Sequence, residues 1–260
     1  FVKPNNFCFK LINKIMKMKS ENIIFDTVAI IGIGLIGSSI ARGIQKNKIA
    51  RNVFGYAKTA STRAKARELG YMDKIFDTLV ETVSEADLII LCAPVGSNAE
   101  IMRNIQGHLK KGTIITDVGS VKKAVIDQID KYLPDGVSFI PGHPIAGTEF
   151  SGPESGFAEL LYKKCCLLTP YTDTDKVHLD KVVSFWEELG MFVDIMSPEM
   201  HDLVLATISH LPHLVAFNLV DTVSKLENKK NYEVTKYAAG GFLDYTRVAS
   251  SDPIMWRDVF

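Results

Sequence analysis

The chain has 260 residues, 47% hydrophobic and 23% charged, enough for one large globular domain or two modest ones. Thirty basic side chains balance thirty acidic ones, so charge gives no reason to expect a nucleic-acid or membrane-surface partner. Cys8, Cys92, Cys165 and Cys166 form no Cys-x-x-Cys pair, and adjacent cysteines are poorly placed to bridge each other; reduced thiols in a cytoplasmic protein are expected.

Residues 1–20 carry five lysines and no acid, but they lack the unbroken apolar core and small-residue cleavage site of a targeting peptide. Nowhere does the sequence approach the ~20 consecutive apolar residues of a membrane helix, so no membrane partner is expected. Residues 1–25 are read as a disordered extension, 26–196 as a dinucleotide-binding domain and 197–260 as a helical domain.

The first ordered element is expected at Val28–Ile31, a β-branched run that enters Gly32-Ile33-Gly34-Leu35-Ile36-Gly37. Ile36, Ile40 and Ile44 then recur at helical spacing, so the glycines sit between a strand and a helix. Gly32 suits the tight turn, Gly34 lets the backbone approach a pyrophosphate, and Gly37 lets the helix pack closely on the strand. Leu35 and Ile36 open that helix, whose free N–H groups and positive dipole end favour phosphate. The cofactor expected is therefore NAD(P).

An acid for the ribose hydroxyls is expected about twenty residues after the last glycine, but Ala57 stands there, followed by Lys58 and, further on, Arg63. A missing carboxylate removes repulsion against a 2′-phosphate, and Lys58 supplies a cation; a merely solvated Lys58 is the competing reading.

Further strands are predicted at Leu88–Leu91, Thr113–Thr116, Ser138–Ile140, Cys166–Leu168 and Phe192–Ile195. Amphipathic helices are predicted at Ala60–Leu69 and Ser97–Leu109. This alternation predicts an α/β fold with a Rossmann-like, mainly parallel sheet. Ligands bind beyond the carboxyl ends of such strands. Three ends carry chemistry: Cys92-Ala93-Pro94, Asp117-Val118-Gly119-Ser120-Val121-Lys122, and the turn Gly142-His143-Pro144-Ile145-Ala146-Gly147-Thr148-Glu149. Ala93 and Pro94 are placed beside the cofactor, and His143 offers a base with a reference pKa near 6.5.

After Ser197-Pro198 the patterning becomes helical. His201, His210 and His213 cluster, but without a His-Glu-x-x-His pattern or a nearby cysteine no metal is expected. His201 and His210 are read as packed or capping residues; His213 follows Pro212, which marks a helix irregularity able to aim it into a cleft. Asp244 and Arg247 at i and i+3 read either as a surface pair or as leaving Arg247 to bind a carboxylate bidentately.

The glycine fingerprint, Asp117–Lys122, Gly142–Glu149, Ser209-His210-Leu211-Pro212-His213 and Phe242-Leu243-Asp244-Tyr245-Thr246-Arg247 together resemble the prephenate/arogenate (cyclohexadienyl) dehydrogenases of tyrosine biosynthesis. The resemblance runs from about Val28 to the last residue. It implies oxidative decarboxylation: hydride leaves the carbinol carbon for the nicotinamide, the carbinol proton goes to a base, and the ring carboxylate departs as CO2. By the same resemblance His143 is that base and Ser120 orients it and the nicotinamide. Arg247 grips a substrate carboxylate, and His213, Thr148 and Glu149 line the substrate pocket. Relatives continue past Phe260 with helices that build a homodimer, so the helical domain is expected to be incomplete. A β-hydroxyacid dehydrogenase-like reductase and a non-catalytic nucleotide-binding module are the competing functional readings; the former typically relies on a catalytic lysine in the helical half.

Overall fold

The computed structural model describes residues 23–148, 150–230, 232–251 and 253–260. Glu149, Cys8 and most of the expected 1–25 extension lie outside them; Phe25, placed in that extension by the sequence, already belongs to the first strand.

Strand β1 (Phe25–Ile31) runs into helix α1 (Leu35–Asn47), and β2 (Ala50–Tyr56) into α2 (Ala60–Leu69). β3 (Lys74–Ile75) and α3 (Leu79–Val83) precede β4 (Leu88–Leu91) and α4 (Asn98–Ile105). Next come β5 (Ile114–Asp117), α5 (Lys123–Ile129) and β6 (Ser138–Ile140). These strands form one sheet in the order β3-β2-β1-β4-β5-β6, all parallel. That is the Rossmann order, reversing between β1 and β4, where such sheets open a crevice.

A parallel sheet must be covered on both faces, and β1 shows how. Val28 and Ile30 pack with Ile40 and Ile44 of α1, whereas Ala29 and Ile31 pack with Ile101 and Met102 of α4 and Val125 of α5. Burying each such aliphatic side chain is worth ~1.5–3 kcal/mol, so the alternation along β1 ties both helical layers to one strand.

The last two predicted strands form, but outside that sheet. β7 (Gly142–Pro144), β8 (Cys165–Leu168) and β9 (Phe192–Ile195) make a separate three-stranded sheet, with α6 (Lys176–Glu188) between β8 and β9. β7 is antiparallel to β8, and β8 parallel to β9. The chain leaves the main sheet because side chains capture Gly142: its N–H donates to Asp117 Oδ1 at 3.0 Å and its carbonyl accepts from Lys122 Nζ at 2.6 Å. His143 therefore lies in a strand, opposite Leu167, not on a turn.

Ser197 caps α7 (Pro198–Leu205) by accepting the Met200 N–H at 3.2 Å, with Pro198 at the first helical position, where its missing donor costs nothing. A π-turn (Ala206–His210) leads into α8 (Leu211–Lys230), then α9 (Gly240–Thr246), a short 3₁₀ turn at Arg247–Ser250, and α10 (Pro253–Arg257). Pro212 cannot donate to the preceding turn, which accounts for the irregularity there. Pro198–Lys230 is one continuous run, long and apolar enough by composition to cross a membrane, and little of it is buried. Leu203, Ile208, Leu211, Leu214 and Val215 are exposed along it.

Candidate active site

The glycine turn shows three different constraints. Gly32 has φ +104°, and a Cβ there would lie 2.5 Å from the Cys92 carbonyl carbon, so it needs both the left-handed backbone and the missing side chain. A Cβ on Gly37 would meet the Gly32 carbonyl oxygen at 2.1 Å, which fixes the close approach of α1 to the strand end. Nothing lies within 4 Å of a Cβ on Gly34, so its freedom is required by nothing inside the chain. Gly34 is the N-cap of α1 and offers no side-chain hydrogen bond, and the first turn holds no acid. Leu35 and Ile36 thus begin a helix whose N–H groups face the β1/β4 reversal without a side-chain acceptor, a site suited to a pyrophosphate.

Ala93 and Pro94 follow β4 at that reversal. At the end of β2, Ala57 is buried and Lys58 exposed. Arg63 is committed elsewhere, donating to Asp77 Oδ1 and the Ala57 carbonyl, both at 2.8 Å. Lys58 is therefore the freer cation of the two.

At the end of β5, Asp117 and Lys122 form a buried ion pair. Asp117 also accepts the Gly119 N–H at 2.8 Å, so one carboxylate shapes the turn carrying Ser120 and anchors the start of β7. Burial lowers the pKa of Lys122, against the opposing pull of Asp117.

His143 is 8% exposed, and its Nδ1 lies 2.8 Å from Nε2 of His201, which is wholly buried. His201 Nδ1 in turn lies 2.8 Å from Asp202 Oδ1. Asp202 reaches back across the site, accepting the N–H of Lys122 at 2.7 Å and of Lys123 at 3.0 Å. Burial would raise the Asp202 pKa, but His201 and those two N–H groups hold it below the usual value. Burial first, then the positive charge of Lys122, pushes His143 well below its ordinary pKa of 6.5. It is a neutral imidazole at physiological pH.

His201, read from sequence as merely packed, thus belongs to the site; the acid next to it, Asp202, is the one local sign of a partner. His210 fits the packed reading, buried edge-on to Trp256 at 5.9 Å between centroids. His213 stacks on Trp256 at 3.9 Å, and its Nδ1 donates to the Ser209 carbonyl at 2.9 Å. Trp256 was not singled out from sequence. Arg247 is exposed, and no ion pair joins it to Asp244 among the described residues. Thr148 is exposed and accepts the Phe150 N–H at 3.2 Å; Glu149 is outside the described residues. Among the described residues the free thiols are Cys92, Cys165 and Cys166, and burial pushes Cys92 and Cys166 far up in pKa, so neither is a ready nucleophile.

The family model described as the prephenate dehydrogenase nucleotide-binding domain matches residues 40–194, and that of the prephenate dehydrogenase dimerization domain matches 197–260. The chain belongs to the prephenate dehydrogenase family. It is 42% identical over 236 residues to the cyclohexadienyl dehydrogenase of Zymomonas mobilis, covering 91% of this chain and 80% of that protein. It is 37% identical to the prephenate dehydrogenase of Bacillus subtilis over 90% of this chain, and spans 63% of that longer protein. A crystal structure of Aquifex aeolicus prephenate dehydrogenase with hydroxyphenyl propionate and NAD+ superposes with a TM-score of 0.83 at 38% identity, covering 90% of this chain and 82% of that one.

Proposed function

We propose that this chain catalyses the oxidative decarboxylation of prephenate or arogenate, giving 4-hydroxyphenylpyruvate or tyrosine, and that His143 is its proton acceptor. The observation that carries this reading is a buried imidazole, its pKa pushed below the ordinary value, on the strand that Asp117 at the carboxyl end of β5 anchors through Gly142. A base must be unprotonated before the reaction begins. A bound NAD(P) supplies the hydride acceptor.

The chain's own groups divide the remaining work. Gly32, Gly34, Leu35, Ile36 and Gly37 hold the pyrophosphate through backbone N–H groups and the open space over Gly34. Ala93 and Pro94 line the nicotinamide end. Hydride leaves the carbinol carbon as His143 takes the carbinol proton, and the carbon–carboxylate bond breaks to release CO2; those bonding electrons make the ring aromatic, and the phenol oxygen recovers a proton. Ser120, held between the anchored backbone of Gly119 and Lys122, orients His143 and the cofactor. Arg247, unpaired with Asp244, grips a substrate carboxylate through its planar guanidinium, and His213 on its Trp256 stack, with Thr148 and Glu149, lines the pocket.

Lys58 favours acceptance of NADP alongside NAD, since Ala57 leaves no carboxylate to repel a 2′-phosphate. Lys58→Ala is expected to raise the KM for NADP several-fold with little change for NAD; equal effects on both sink that assignment. The exposed apolar stripe of α7 and α8 is covered by a second copy of the chain, in keeping with the dimerization-domain match. Arg247→Ala is expected to raise KM for substrate far more than for cofactor in steady-state assays, and parallel increases would remove its carboxylate role.

A further inference from the structure

His143 has two ring nitrogens, and a base can use only the one without a proton. No other hydrogen bond to its ring forms among the described residues, so the contact at Nδ1 decides which nitrogen that is. The decision is made two residues away. Asp202 is held in its carboxylate form and can only accept, so the hydrogen on His201 lies on Nδ1, facing Asp202 Oδ1 at 2.8 Å. With one hydrogen on the His201 ring, and that one on Nδ1, its Nε2 is bare and can only accept from His143 Nδ1–H across 2.8 Å. The Nε2 lone pair of His143 is what remains.

We infer that His201, fixed by Asp202, is a positioning residue that locks His143 in the Nδ1–H tautomer and keeps its Nε2 bare for the substrate hydroxyl. Asp202 also receives the backbone N–H groups of Lys122 and Lys123, at the start of α5 and the end of the turn carrying Ser120. One carboxylate on α7 thereby sets the tautomer of the base and the position of the neighbouring turn at once. When His143 takes up a proton it becomes a cation, and its bond to His201 becomes charge-assisted, roughly twice as strong as the neutral one. That gain appears only as the reaction proceeds, which is the condition for raising kcat rather than lowering KM.

The inference rests on His143 being the base, so its test has one arm that needs no turnover. Long-range ¹H–¹⁵N spectra of the wild-type chain, with His143 assigned by comparison with His143→Asn, report which ring nitrogen carries the hydrogen. Protonated Nδ1 and bare Nε2 in His143 are expected; the opposite tautomer overturns the inference whether or not the protein is active. In His201→Phe, which keeps an aromatic ring but offers no acceptor, a mixture of tautomers is expected. Turnover in that variant should fall by roughly 10–100-fold in kcat, with KM for substrate and cofactor little changed, against ~10²–10⁴-fold for loss of the base itself. His201→Gln can place an amide oxygen near the position of Nε2 and should recover much of the loss. Unchanged kcat in His201→Phe beside an inactive His143→Asn overturns the positioning role and leaves the base intact. Inactivity of the wild type with both substrates defeats the proposed function while the spectra still decide the tautomer.

Discussion

His143 and Lys122 are two buried titratable groups with opposite consequences. The depressed pKa of His143 places the acid limb of activity below pH 6.5, because burial first and then the charge of Lys122 disfavour the protonated ring. A kcat/KM profile still flat on descending through pH 6.5 is expected; a break at the ordinary imidazole value would mean that His143 is solvated or is not the base. Stability follows the same sign. The unfolded chain binds this proton more readily than the folded one, so His143 contributes full stability above pH 6.5, and the contribution is lost as pH falls toward the lower folded value. Lys122 is different: it neutralises Asp117, and Lys122→Met leaves a buried carboxylate without its counter-ion. We expect a loss of ~3–5 kcal/mol in urea unfolding, and a change below 1 kcal/mol would show that the N–H groups of Gly119 and Gly142 suffice for Asp117. The candidacy of His143 was legible in the sequence because glycines, a proline and a strand end surround it. That of His201 was not, because a histidine on an apolar helix has the same local pattern whether it packs passively or meets another ring 58 positions away.

The turn between β1 and α1 allows folding and cofactor binding to be separated. Gly37→Ala drives a methyl into backbone at the Gly32 carbonyl, so we expect ~1–3 kcal/mol of destabilisation along with weakened NAD(P) binding. Gly34→Ala adds its methyl to open space, so the melting temperature should hardly move while cofactor affinity drops at least several-fold. Calorimetry and cofactor titration check both; a destabilised Gly34→Ala with normal affinity would mean that the open space is not the pyrophosphate site. Sequence periodicity located β4 and β6 to the residue and β5 within one, because buried parallel strands read as unbroken apolar runs. It could not show that β8 and β9 leave the main sheet. That departure is set by Asp117 and Lys122 holding Gly142 across a separation of 20 residues or more, and no local pattern records it.

For the molecule as a whole, the two halves meet at the candidate site: the proposed base His143 sits on β7 and the His201–Asp202 pair that contacts it on α7, while Asp258, just past α10, lies 3.4 Å from the Gly96 N–H after β4. Cofactor site and base come from the first half, and Arg247 and His213 from the second, so neither half holds every proposed participant. The exposed apolar side chains from Leu203 to Val215 lie along one helical run, and we propose that a second copy covers them, in keeping with the dimerization-domain match. Leu211→Glu, at a position already 52% exposed, should therefore shift a dimer toward monomer in sedimentation without lowering the monomer's own stability. An unchanged dimer would place the interface elsewhere. The most direct measurement of the central claim is reduction of NAD or NADP on adding prephenate or arogenate, run on the wild type and His143→Asn with cofactor binding followed in both. Reduced nicotinamide and CO2 formed in equal amounts by the wild type, and turnover ~10²–10⁴-fold lower in the variant with cofactor affinity retained, is the expected result. Equal turnover in the two proteins, or none in the wild type with either substrate and both cofactors, would contradict it.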